Sequence, residues 1–248
     1  MMELKNKFII LTGSKGLIGK AILKELKKKN KIISIDKKKI IKQKNVDHYI
    51  CDLGNRNQRK IVSQKIQRKY KKIDILINCA GVVSDFLTEN ITDINKQNSQ
   101  VWDKFMEINL TSIFDLICKF KINLEKSNNP SIINISSIYA TYYPDWEMYK
   151  NTKVQNILSY SVSKGGLLNL TKWLATYLAP KIRINAISPG GIKRKQSKIF
   201  IKNYIKKTPL KRMCSTKDVV NCVKFLSSEN SGYITGQNIV IDGGFTLA

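Results

Sequence analysis

Apolar and polar positions along the chain alternate between two periods. Short, Ile-rich runs bounded by Gly, Asn or Pro fall at Phe8–Leu11, Lys31–Ile35, Ile73–Asn78, Ser131–Ile135, Arg183–Ile187 and Asn238–Ile241. Runs apolar at consecutive positions suit strands covered on both faces. Between them lie stretches with helical spacing: Leu17–Lys29, Arg56–Tyr70, Val101–Glu107 leading into Ser112–Lys126, Tyr160–Leu178, and Thr216–Leu226. This alternation predicts an α/β fold, a doubly wound parallel sheet with helices on both faces. No repeat, long linker or low-complexity segment divides the chain, so residues 1–248 are expected to form a single domain. Two stretches lack a regular period: Tyr139–Ser159, rich in aromatics, and the segment from Pro189 to about Pro209. Both are expected to be loops at the carboxyl ends of strands, where ligand sites are built.

Composition narrows the functional classes. Apolar residues make up 42% of the 248 positions, enough for a full core. No run of 18 apolar residues occurs, so no membrane span is expected. The strand beginning at Phe8 leaves no room for a secretory leader. The five cysteines form no C-x-x-C pair and His48 is the single histidine, so no metal site is expected. Reduced thiols point to the cytoplasm. The net charge is +26, but 38 of the 44 basic residues are Lys, spread in runs such as Lys27–Lys29 and Lys37–Lys39. Such spreading describes solvated helix faces, not a nucleic-acid footprint, while leaving room for an anionic small-molecule substrate.

Candidate chemistry begins at Thr12-Gly13-Ser14-Lys15-Gly16-Leu17-Ile18-Gly19, between a strand and a helix. Glycines there allow a tight turn and close approach to a diphosphate, and the helix N-terminus offers free N–H groups. Asp36 ends the second strand, 17 residues after Gly19, where a carboxylate accepts hydrogen bonds from an adenosine ribose. This favours NAD. Lys15 and Lys37 leave NADP open, since either could reach a 2′-phosphate. Tyr and Lys four apart share a helix face, and a neighbouring ammonium lowers a phenol's pKa, giving an acid that works near neutral pH. Three pairs have this spacing: Tyr149/Lys153, Tyr160/Lys164 and Tyr177/Lys181. Pro180 breaks the last. Tyr149/Lys153 lies in a polar stretch without apolar period, whereas Tyr160/Lys164 opens a strongly amphipathic helix and is preferred.

With these residues assembled, the chain resembles a short-chain dehydrogenase/reductase, from Thr12 to Asp242-Gly243-Gly244. The likeness includes Cys51-Asp52-Leu53, Asn78-Cys79-Ala80-Gly81, Asn109 in Ile108-Asn-Leu, Ser137 in Ile135-Ser-Ser, and Ser188-Pro189-Gly190-Gly191. It implies a Rossmann-type sheet, NAD(P)-dependent oxidoreduction of a CH–OH group, and a homotetramer or homodimer paired through its long helices. Tyr160 would be the proton donor or acceptor, Lys164 its activator and a ribose ligand, Ser137 the partner of the reacting oxygen, and Asn109 the support of a water path. The cofactor would lie along Gly13 to Gly19, Asp36, Asp52, Leu53, Asn78, Ala80, Gly81, Pro189, Gly190 and Ile192. Departures exist: the glycines follow T-G-x-x-G-x-x-G, no threonine closely follows Pro189-Gly190, and Ser137 and Tyr160 are 23 residues apart, farther than the family's interval. Tyr149 stands nearer that interval and is the rival. The 25 residues from Lys164 to Pro189 favour Tyr160, since Lys153 would make that distance 36. The insertion, with Pro144-Asp-Trp-Glu-Met-Tyr149, is similar to the flagellin post-translational modification protein A subgroup, linked to bacterial surface sugars of the nonulosonic acid type. That implies an anionic sugar derivative as substrate, with Val82, Tyr139, Trp146, Tyr149 and Gly191 bordering its pocket. Tyr139, Tyr142, Tyr143, Trp146 and Tyr149 would wall the sugar or simply pack the inserted loop. Reduction of a 3-oxoacyl group on a carrier protein is the alternative.

Overall fold

A computed structural model describes residues 4–83, 94, 98–149, 152 and 156–248. Lys153, of the rival Tyr149/Lys153 pair, lies outside the described residues. Seven strands form one parallel sheet in the order β3-β2-β1-β4-β5-β6-β7. They are β1 (Phe8–Thr12), β2 (Lys31–Asp36), β3 (Val46–Ile50), β4 (Ile75–Asn78), β5 (Ser131–Ile135), β6 (Arg183–Pro189) and β7 (Asn238–Ile241). The order reverses between β1 and β4, and ligands of such sheets bind outside the strand ends at this point.

The helices follow from one-sided apolar stripes. They are α1 (Leu17–Leu26), α2 (Arg56–Lys69), α3 (Ser99–Met106), α4 (Ser112–Leu124), α5 (Trp146–Tyr149), α6 (Leu158–Leu178), α7 (Lys198–Lys207) and α8 (Thr216–Leu226). Successive strand side chains point to opposite faces. Ile10, Ile33, Leu76 and Ile132 therefore pack with α2, α4 and α6, whereas Ile9, Leu11, Ile75 and Ile133 pack with α1 and α8. This is the doubly wound Rossmann arrangement expected from the sequence.

Two elements escape the periodicity. β3, Val-Asp-His-Tyr-Ile, mixes polar and apolar residues because it is an edge strand with both faces partly open. α7 lies in the stretch expected to be a loop. Its lysines mask the buried pair Phe200 and Tyr204, spaced one helical turn apart. The expected break between Glu107 and Ser112 is a π-helical turn, Glu107–Thr111, that joins α3 to α4 without interruption. Buried Arg59 of α2 steadies this turn: its guanidinium pairs with Glu107 at 2.7 Å and Asp115 at 2.8 Å and donates to the Leu53 carbonyl. No helix among the described residues is long and apolar enough to cross a membrane.

Candidate active site

The phosphate-binding end is built by close backbone packing. Thr12 Oγ1 accepts the N–H groups of Cys79 and Ala80, each at 3.0 Å, and so ties the exit of β4 to that of β1. Gly13 has φ +69°, and a Cβ there would lie 2.7 Å from Ala80 Cα. A Cβ on Gly19 would lie 2.0 Å from the Gly13 carbonyl oxygen. Neither position admits a side chain. Helix α1 then begins with no side-chain cap and no acid in its first turn, leaving its positive end for a ligand. Gly16, Leu17, Ile18 and Gly19 all line the main cavity. Ser14 is fully buried, with its hydroxyl 2.6 Å from that of Ser34 and turned from this cavity.

A second cavity of about 250 Å³ lies over the ends of β1 and β2, lined by Gly13, Lys15, Asp36, Asp52, Leu53, Ala80 and neighbours. Asp36 is held by the backbone: Oδ2 accepts the Lys15 N–H at 2.8 Å and Oδ1 the Lys38 N–H at 2.9 Å. Each oxygen keeps a lone pair for a ligand. Asn78, at the end of β4, lies inside the sheet, where its amide donates to Asn134 Oδ1 at 2.8 Å.

The main cavity, about 380 Å³, shares Gly16, Cys79, Gly81 and Val82 with this second cavity, so the two form one elongated cleft. Lys164 reaches into it from α6. Its ammonium donates to the Ile135 carbonyl at 2.8 Å and stands 5.9 Å from the Tyr160 ring centroid. Burial pushes its pKa down to about 8, because the charged form is poorly solvated there. Gly81 leaves the room this needs: a Cβ would lie 3.3 Å from Asn109 Oδ1 and 3.6 Å from Lys164 Nζ. Asn109 sits in the π-helical turn, fully buried. Its Oδ1 accepts the Val82 N–H at 2.8 Å, and its Nδ2 donates to the Val82 carbonyl at 3.2 Å and to Ser163 Oγ at 3.1 Å. The side chain expected to support a water path is thus a staple between the β4 exit and α6. Ser137 Oγ accepts the Tyr139 N–H at 3.2 Å, which leaves its own proton for the cavity.

The far wall comes from the inserted segment and α7. Tyr139 and Tyr149 line the cavity and share a short hydroxyl–hydroxyl hydrogen bond. Asn156 donates to the Tyr149 oxygen at 3.4 Å. Burial raises the pKa of both phenols. Among the described residues, the lysine that lines this cavity is Lys164, beside Tyr160. The aromatic segment divides between its two expected roles. Trp146 is half-exposed, 6.2 Å from Tyr149 between ring centroids, and does not line the cavity. Tyr142 and Tyr143 stack on each other at 5.0 Å, also outside it. Val82, Pro189, Gly190, Gly191 and Ile192 do line it. Sequence reading missed Asn156, Arg194 and Tyr204, which line the same space. Tyr204 accepts the Gly191 N–H at 2.6 Å and stacks on Phe245 at 4.5 Å. Its four-residue spacing from Phe200 was the available signal.

A doubly wound sheet, a glycine-lined turn at its switch point, a backbone-held carboxylate at the end of β2 and a Tyr–Lys pair over one cleft define a nicotinamide-dependent oxidoreductase. Comparison with known proteins agrees. A family profile described as Enoyl-(Acyl carrier protein) reductase matches residues 28–246. The 3-oxoacyl-[acyl-carrier-protein] reductase FabG of Thermotoga maritima is 31% identical over 99% of this chain and 100% of its own. The post-translational flagellin modification protein A of Campylobacter coli is 30% identical, covering 98% of this chain and 100% of its own. A short-chain dehydrogenase from Leptospira borgpetersenii, solved with bound NAD+, superposes with a TM-score of 0.88 at 34% identity, over 98% of this chain and 94% of that one. The chain belongs to the short-chain dehydrogenase/reductase family.

Proposed function

We propose that this enzyme exchanges a hydride between NAD and a secondary alcohol or carbonyl of an anionic, oxygen-rich substrate, a sugar or sugar phosphate. The cleft fits the dinucleotide: the uncapped α1 N-terminus suits the diphosphate and the two open lone pairs of Asp36 suit the ribose hydroxyls. When bound, nicotinamide supplies or accepts the hydride. Tyr160 gives or takes the proton at the substrate oxygen. Lys164 keeps positive charge beside the phenol and binds the nicotinamide ribose. Ser137 donates its free proton to the same oxygen as charge develops there. Asn109, by fixing Val82 and α6, sets the position of Tyr160 and of the water path behind it.

The observation that carries the substrate class is the Tyr139–Tyr149 pair. Two phenols bear two protons and only one lies between them. Among the described residues no acceptor takes the second proton. It is available to an oxygen on the ligand, beside aromatic faces that suit sugar C–H groups. Lys164 and Arg194 line the cavity and no carboxylate does among the described residues, which favours a negative substrate. Exposed Phe114 and Ile122 on α4, with Trp173 and Tyr177 on α6, supply the apolar surface for a homo-oligomer, and a cytoplasmic setting fits the unpaired cysteines. The test is a panel of sugar phosphates and nucleotide sugars with NAD+ and NADH, read by NADH absorbance. Turnover of a member of the panel is expected. Turnover confined to 3-oxoacyl thioesters with NADPH would overturn this reading in favour of the acyl alternative, which the family profile and the Thermotoga relative support.

A further inference from the structure

His48 is the single histidine of the chain, and nothing above uses it. It lies on β3 opposite Ser34 of β2. Its Nε2 is 3.1 Å from the Lys38 carbonyl oxygen. A carbonyl only accepts, so Nε2 carries the proton and Nδ1 is the acceptor. Nδ1 is 2.9 Å from Ser34 Oγ, within hydrogen-bond distance. Ser34 Oγ also stands 2.6 Å from Ser14 Oγ, within hydrogen-bond distance. Burial lowers the His48 pKa, so the neutral ring is the form present at neutral pH.

These contacts close on themselves. Ser14 precedes Lys15, whose N–H donates to Asp36 Oδ2. Lys38, which takes the His48 proton on its carbonyl, gives its own N–H to Asp36 Oδ1. The circuit runs from the phosphate loop through Asp36, the turn after β2, His48 and Ser34, and back to the loop. It uses one lone pair on each Asp36 oxygen and leaves the other on each. Backbone pairing at five positions already secures β3 against β2, so the strand does not require this side-chain circuit. We infer that His48 is a positioning residue for the dinucleotide. It holds the Asp36 carboxylate and the phosphate loop in one frame, so that both carboxylate oxygens meet the adjacent hydroxyls of the adenosine ribose while the loop N–H groups meet the diphosphate. This inference rests on the NAD reading of the cleft.

The test is the Kd of NADH and of NADPH, titrated by nicotinamide fluorescence into the full chain and three variants. In His48→Leu, NADH binding weakens by about tenfold and the preference for NADH over NADPH narrows by a similar factor, because the carboxylate is free to swing from a 2′-phosphate. His48→Gln carries a donor and an acceptor on one amide and restores NADH binding to within about threefold of wild type. Ser34→Ala opens the circuit at another point, weakens NADH by about threefold, and stands in if His48→Leu does not fold. A purely structural histidine would lower the melting temperature without moving the NADH/NADPH ratio. A folded His48→Leu, or failing that Ser34→Ala, with Kd and ratio within about twofold of wild type overturns the inference. If wild type prefers NADPH, the NAD reading falls while the loss on His48→Leu still decides the role of the frame.

Discussion

Replacing Lys164 by methionine isolates the energetic cost of the charge at the centre of the cleft. The ammonium is buried, with one carbonyl acceptor at 2.8 Å, and its pKa drops from 10.5 to about 8. At 1.36 kcal/mol per unit, holding the proton costs the fold about 3 kcal/mol. The unfolded chain binds that proton more tightly than the native one. The penalty is therefore fully present below pH 8 and is relieved as pH rises from about 8 toward 10.5. Between neutral pH and about pH 10 the wild type regains about 2.5 kcal/mol from this residue, while the methionine variant regains none. Other titrations are common to both proteins and cancel in the difference. The methionine leaves the Ile135 carbonyl without its donor, a pH-independent cost of about 1–3 kcal/mol. Urea unfolding of both proteins at the two pH values measures the difference directly. The stability of the variant relative to wild type should fall by about 2.5 kcal/mol on going to pH 10. A difference constant to within about 0.5 kcal/mol would refute the claim that Lys164 is held charged against burial.

Three further outcomes are expected. Tyr160→Phe lowers kcat by roughly 10²–10⁴ with NADH binding retained, whereas Tyr149→Phe acts mainly on KM; the reverse pattern in steady-state kinetics would hand the proton transfer to Tyr149. Asp36→Ala weakens NADH by about tenfold and tightens NADPH, read by titration, since two charge-assisted hydrogen bonds are lost and a phosphate is no longer repelled. Arg59→Met costs about 2–4 kcal/mol in urea unfolding, because Glu107 and Asp115 lose their buried partner; a loss under about 1 kcal/mol would mean that solvent already screens both acids.

Six strands and most helices were legible because their residues are committed to one environment. An isoleucine run buried on both faces has no other home. The misses occur where the environment is mixed. β3 lies at the sheet edge with both faces only partly covered, so its apolar signal is diluted by Asp47 and His48. α7 hides two buried aromatics among lysines that serve only solvation. Among site residues, Tyr160 could be preferred to Tyr149 from sequence because helix periodicity and the distance to Pro189 both bear on it. Asn156 and His48 could not be picked out in this way, since their roles depend on partners brought together from different elements.

The π-helical turn at Glu107–Thr111 makes this part of the molecule sensitive to length more than to composition. It accommodates one residue beyond the regular helical count, and that surplus sets the rotational phase between α3 and α4. Excising a single residue there would let the two helices merge into an uninterrupted rod. Everything on the amino-terminal side, including buried Phe105, would then turn by about 100° relative to α4, leaving Asn109 unable to reach Val82 and Ser163 together. Chains of this kind should therefore drift freely in side-chain identity at exposed positions of the turn while refusing any gain or loss of a codon.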